Sequence, residues 1–195
     1  MVKRTTPMSA TLGDQTWRLD CGSAVDWQRQ LGGCSEVCLG VTFLIRPSTL
    51  RDVPACASLM AAHPLWQSYG YTFENQSERL AHLFIEKSVL IAEDDGVVQG
   101  FVIYDTRTFG DNGYIQLIGI AAQHTGKGIG EQLMNAAHAN MNPLRRCFLL
   151  CTSTNVRAQR FYMRLGYRKV GELPDWLRPG MTEYIFCHYD IQALI

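Results

Sequence analysis

Ile118-Gly119-Ile120-Ala121-Ala122-Gln123-His124-Thr125-Gly126-Lys127-Gly128-Ile129-Gly130 carries an apolar strand through a glycine-rich turn directly into a helix. A turn of this kind leaves the first amides of the helix unpaired and aims them, with the positive end of the helix dipole, at one point. Glycine lets an anion reach the backbone with no Cβ in the way, so a phosphate or pyrophosphate is the expected ligand. Two known phosphate loops do not fit. Ala121 stands where the first glycine of the Walker pattern belongs and Gly128 follows Lys127 in place of Ser or Thr, while Glu131 fills the third-glycine position of the dinucleotide pattern. For this segment alone, glycines that merely make a tight turn remain the alternative reading.

Upstream of the turn the pattern is one of strands. Val89 to Glu93 and Val97 to Tyr104 flank Asp94-Asp95-Gly96, a hairpin signal, and Tyr114 to Ala121 is a third apolar run. Downstream the period lengthens. Gly130 to Asn140 sets Leu133, Met134 and Ala137 on one helical face, Cys147 to Cys151 is an apolar strand, and Val156 to Leu165 is a helix stopped by Gly166. Tyr167 to Val170 and Glu183 to Tyr189 are two last strands around the turn-rich stretch 172–181. Before the hairpin, Val41 to Ile45 is strand-like up to Pro47, a helix capped at Ser48-Thr49 follows, 63–76 is irregular and aromatic-rich, and Ser77 to Lys87 is a second amphipathic helix.

The order βααβββαβαββ predicts an α+β (mixed α/β) fold, because hairpins make antiparallel neighbours and a strand-helix-strand crossover makes parallel ones. One domain is expected over residues 41–195. Residues 1–40 lack a sustained apolar period, and they are expected to be a disordered extension or to precede a true initiator at Val41.

Composition restricts the function classes. Apolar residues make 47% and charged residues 18% of the chain, with no apolar run near the roughly 20 residues of a membrane span. The formal charge is zero and the Lys and Arg residues are scattered, so neither a nucleic acid nor a membrane is an expected partner. Seven cysteines without paired metal spacings, and no signal-peptide pattern, predict reduced thiols in a cytoplasmic protein. Cys34 and Cys38 with Cys21 make a single C-x3-C, a weak zinc signal without a second pair, and no metal is expected.

Three pieces in this order carry a resemblance. They are Ile45-Arg46-Pro47-Ser48-Thr49 with Asp52, then Ile118-Gly119-Ile120 leading into Gly126-Lys127-Gly128-Ile129-Gly130, then Asn155-x-x-Ala158-x-x-Phe161-Tyr162-x-x-Leu165-Gly166-Tyr167. Over roughly residues 42 to 190 the chain resembles the GNAT superfamily of N-acetyltransferases. The resemblance implies a mostly antiparallel central sheet with helices on both faces and a splayed pair of parallel central strands. It implies acetyl-CoA as cosubstrate, its pyrophosphate held at Thr125, Gly126, Lys127, Gly128, Ile129 and Gly130, its pantetheine arm paired with the backbone of Ile118 and Ile120, and Asn155 beside that arm. The family's Q/R-x-x-G-x-G/A motif aligns with Thr125, Gly128 and Gly130, so Thr125 stands where a long polar side chain is usual. Relatives often form dimers, which makes a homodimer an expectation as well.

Amine attack on a thioester needs a neutral amine, a polarised carbonyl and a proton for the departing thiolate. The resemblance places Tyr162 at the sulfur as that acid. A base is not assigned: Tyr114 and Leu150 fall where some relatives carry a glutamate, leaving Glu93, His124, Glu183 or a water chain from Gln116. Cys151 and Cys147 have no basic partner nearby in sequence and are read as core thiols, so transfer is expected to be direct. The resemblance also implies an acceptor site lined by Trp66, Tyr69, Tyr71 and Phe73 on one side and Asp175, Trp176 and Arg178 on the other. Such a lining suits a small amine with an apolar or cationic part. Transfer to a protein N-terminus or lysine, and a non-catalytic acyl-CoA sensor, are the alternatives.

Overall fold

Alternation within the strands divides the interior into two cores. The computed structural model describes residues 43–189 apart from 109, 111 and 142–145; the expectations for residues 1–40, with Cys21, Cys34 and Cys38, lie outside the described residues. In order, the elements are β1 (Leu44–Pro47), a 3-10 turn (Leu50–Asp52), α1 (Val53–Ala62), α2 (Pro64–Ser68), α3 (Phe73–Glu86), β2 (Ser88–Asp94), β3 (Val97–Thr108) and β4 (Asn112–Ile120). A second 3-10 turn (Ala122–His124), α4 (Ile129–Met141), β5 (Arg146–Thr152), α5 (Val156–Arg164), β6 (Arg168–Pro174) and β7 (Thr182–Tyr189) follow within the described residues. Along β2 and β3, Leu90, Ala92, Val102 and Tyr104 join the core under α4 and α5, with Leu133, Met134 and Tyr162. Their neighbours Val89, Ile91, Phe101 and Ile103 point the other way, into the core with Met60 of α1 and Leu80 of α3. Successive side chains leave a strand on opposite faces, so a continuous apolar run marks a strand covered on both sides.

Among the described residues the sheet has seven strands in the order β1-β2-β3-β4-β5-β7-β6. Only β4 and β5 pair in parallel among the described residues, across the α4 crossover; the hairpins and the β5–β7 contact are antiparallel. This is the mixed sheet that the element order predicts, mostly antiparallel and with helices on both faces as the resemblance implies.

Two starts differ from the sequence reading. The segment 63–76 is not all loop, because α2 forms with Pro64 in its first turn and the His63 ring accepting from the Leu65 amide at 3.2 Å. Helix α3 begins at Phe73, four residues early. Thr72 caps it reciprocally with Asn75, the Thr72 hydroxyl accepting from the Asn75 amide at 3.3 Å and the Asn75 Oδ1 accepting from the Thr72 amide at 2.9 Å. Asn in place of Glu or Gln, and an exposed Phe73, hide that start from a periodicity argument.

Near the N-terminal edge of the sheet, Arg46 donates to Asp52 through both terminal nitrogens, at 2.9 and 2.7 Å, and to Glu93 through Nε at 2.6 Å. Asp52 also accepts from the Thr49 amide at 2.7 Å. One guanidinium thus ties β1, the 3-10 turn and β2 together, and it holds the Asp52 carboxyl down at about 2.

Candidate active site

The parallel seam between β4 and β5 is short. Gly113, Tyr114 and Ile115 pair with Cys147, Phe148 and Leu149, and no pairing follows. Gln116 is the cause on the β4 side: Ile103 pairs with Leu117 and Tyr104 with Ile115, so Gln116 is an extra residue, a bulge that bends and twists β4. Beyond it the two strands part around a cavity of about 1150 Å³. The splay implied by the resemblance is present.

On the β4 wall, the Ala121 amide donates to Gln99 at 2.8 Å. Backbone groups of an antiparallel strand alternate between its two neighbours. Ala121, Gly119 and Leu117 therefore turn theirs toward β3, and Ile118 and Ile120 turn theirs into the cleft, where β5 no longer pairs. A Cβ built on Gly119 would lie 2.6 Å from the Phe101 ring and 2.9 Å from Trp66, so this position marks a close approach of rings to the strand.

The glycine turn forms the cavity's next wall. Gly126 and Gly128 have φ of +87° and +85°, a region that favours glycine. The amide of Thr125 donates to Ala122 and that of Lys127 to His124, within the turn. Backbone donation to an anion thus falls to the amides of Gly126, Gly128, Ile129 and Gly130, which take no part in the turn's hydrogen bonds among the described residues. A Cβ on Gly126 would meet nothing within 4 Å, which leaves the turn's outer face open for a ligand. Gly130 has a different use: a Cβ there would come within 3.1 Å of Phe161, so the glycine lets α4 start against α5. The Lys127 side chain is exposed and Ile129 is in the core, and neither lines the cavity.

Across the cleft, Asn155 caps α5, its Oδ1 accepting from the Ala158 amide at 3.2 Å, and it lines the cavity with Tyr162. Tyr162 is 7% exposed, and burial pushes its phenol far above the ordinary value, with Cys151 and Tyr114 adding to the shift. The Cys151 thiol is held up at about 12 by the same desolvation, which removes it as a nucleophile.

Trp66, Tyr69, Tyr71 and Trp176 line the same cavity. Arg178 reaches across from the β6–β7 turn and donates to the backbone carbonyls of Ser68, at 3.2 Å, and Tyr69. Phe73 and Asp175 are not in the lining; Phe73 opens α3 and Asp175 accepts from the Gly180 amide at 2.6 Å inside its own turn.

Among the candidate bases, Glu93 is committed to Arg46 and lies outside the lining. His124 lines the cavity but its ring stacks edge-on against Phe43. Gln116 and Glu183 both line it. Glu183 is 3% exposed and its carboxyl is raised by burial, partly offset by the Thr152 hydroxyl. Thr152 in turn shares a 2.6 Å hydrogen bond with the Tyr69 hydroxyl. Sequence spacing could not single out this group, because it assembles from β5, β7 and the segment after α2.

Residues 57–167, more than half of the chain, match the model of the acetyltransferase (GNAT) family. No curated protein sequence matches. Among solved structures, a GNAT-family acetyltransferase from Bacillus cereus ATCC 10987 is similar, with a TM-score of 0.62 and 18% identity, covering 77% of this chain and 99% of that one. The PaiA N-acetyltransferase of Thermoplasma acidophilum, in complex with coenzyme A, has a TM-score of 0.62 and 18% identity over 76% of this chain and 99% of its own. A ribosomal-protein-alanine N-acetyltransferase from Brucella melitensis has a TM-score of 0.59 and 18% identity, over 75% and 99%.

Proposed function

Given that the chain belongs to the GNAT acetyltransferase family, we propose that it moves an acetyl group from acetyl-CoA to a primary amine of a small molecule by direct attack. The observation that carries the reading is the parting of β4 and β5 at Gln116, which sets an open glycine turn, the unpaired backbone of Ile118 and Ile120, and Tyr162 around one cavity. The free amides at the start of α4 suit the pyrophosphate. The edge of β4 offers the pantetheine arm a strand to pair with, and Asn155, whose Oδ1 caps α5, keeps Nδ2 for the same arm. When bound, acetyl-CoA supplies the activated acyl carbon.

Tyr162 gives its proton to the departing sulfur. Burial keeps the phenol protonated, and the same desolvation makes a thiolate beside it more basic, so donor and acceptor shift together. Buried neutral thiols at Cys147 and Cys151 support direct transfer over a covalent relay, and suit a cytoplasmic enzyme. Arg178 draws the β6–β7 turn onto the segment after α2, which favours a small acceptor over a long peptide.

The test follows CoA thiol release with polyamines, amino acids, aminoglycosides and N-terminal peptides, wild type beside Tyr162→Phe, with acetyl-CoA binding measured by calorimetry. Turnover on a free amine, lowered at least about tenfold by the substitution with binding retained, is the expected result. Turnover on peptides alone would move the acceptor to proteins, and failure to bind acetyl-CoA would overturn the reading.

A further inference from the structure

Glu183 is 3% exposed at the start of β7, lines the cavity, and its Oε1 has no hydrogen-bond partner among the described residues. In register it lies between Thr152 of β5 and Leu173 of β6. The groups that feel its charge are Tyr69 after α2, Tyr114 of β4 and Cys151 of β5. Burial raises all three above their ordinary values, so all are neutral near pH 7, and the carboxyl itself is influenced by desolvation and the Thr152 hydroxyl but by no cation among the described residues. A carboxylate taken out of water is ordinarily paired with a positive group, because desolvation of an isolated charge is costly. The cavity it lines also holds Tyr69, Tyr114 and Thr152, whose hydroxyls and rings can orient a cation without supplying one.

We propose that Glu183 seats the acceptor's ammonium group: it holds the incoming amine as its cation and takes the proton that must leave before the nitrogen can attack. The inference rests on the acetyl-transfer reading and narrows it to alkylamines, which arrive protonated. Tyr69 and Thr152 are positioning residues, joined to each other at 2.6 Å, with Thr152 opposite Glu183 in register. Tyr114, Cys151, Tyr162 and Glu183 line one cavity, so base and acid serve one space. The ammonium gives one proton to Glu183, and the freed lone pair forms the C–N bond at the acetyl carbonyl carbon. The C–S bond breaks with its electron pair on sulfur, which takes the Tyr162 proton. The phenolate recovers a proton from the acylated nitrogen to leave a neutral amide, and Glu183 returns its proton to solvent.

Glu183→Gln keeps the shape and removes the charge. Three quantities are measured on wild type and variant: acetyl-CoA binding, calorimetric binding of n-butylamine and spermidine to the CoA complex, and kcat/KM across pH for an alkylamine and for a weakly basic arylamine that is neutral at pH 7. Expected are unchanged acetyl-CoA binding, alkylamine binding weakened at least about tenfold, and kcat/KM lowered about a hundredfold or more on the alkylamine. The arylamine, with no ammonium proton to lose, should be affected much less, and the acid limb of the wild-type pH profile should vanish. Glu183→Asp, which keeps the charge, should restore most of the alkylamine binding and serves as the reading should the Gln variant not fold. Equal alkylamine binding by wild type and Glu183→Gln, or equal losses on both amines, overturns the assignment. Turnover by wild type on no amine overturns the transfer reading instead, and the binding comparison then still decides the cation site.

Discussion

Asp52 and Glu183 are the two fully buried acids among the described residues, 6% and 3% exposed, and they are treated in opposite ways. Asp52 receives a two-pronged guanidinium and a backbone amide, and its carboxyl sits at about 2. Glu183 lies opposite Thr152, keeps an unpartnered oxygen among the described residues, and its carboxyl is raised. The first acid is finished by the fold; the second is left incomplete at the edge of a cavity. Burial by itself therefore says little about what an acid does, and the identity of its partners says much more.

Arg46→Ala attacks the finished side of the contrast. It strands Asp52 and frees Glu93 at once, and should cost about 3 kcal/mol in urea unfolding, with acetyl-CoA affinity of the folded fraction unchanged. Acid reaches the same group more gently. The Asp52 carboxyl is depressed when folded, so its stabilisation is complete above the unfolded value near 4 and is lost as the pH falls toward 2. At about 1.4 kcal/mol per pKa unit this amounts to about 2 kcal/mol, read as a drop in the urea midpoint over that range. The smallest effect has the opposite sign. Glu183→Gln removes an unpaired buried charge, so at pH 7 it should raise stability by about 1 kcal/mol and Tm by about 2–4 °C while activity falls. A lower Tm would make Glu183 a structural acid like Asp52 and erase the contrast.

In the sequence Asp52 stands only as a piece of a resemblance and Glu183 only as one of several candidate bases, and the partners of neither acid are read there. The glycine turn and its helix are contiguous, so spacing carries them. The two-sided apolar runs and the crossover give the sheet its mixed character. What spacing does not carry is a contact made by register. Glu183 acquires its meaning from lying opposite Thr152, which meets a tyrosine 83 residues away in sequence. The turn amides are a subtler case. All residues from 125 to 130 are expected to donate outward, yet the local geometry ties those of Thr125 and Lys127 to their own turn. The bulge at Gln116, which opens the cleft, shows in the pairing of β3 with β4 and leaves no mark in composition.

The bonds from Arg178 to the carbonyls of Ser68 and Tyr69 grip the main chain and not the side chains. Every residue type carries a carbonyl, so positions 68 and 69 can change identity without loosening the clamp. This wall of the cavity can then change its side chains while its place in the molecule stays fixed, a variable surface hung on a main-chain hook.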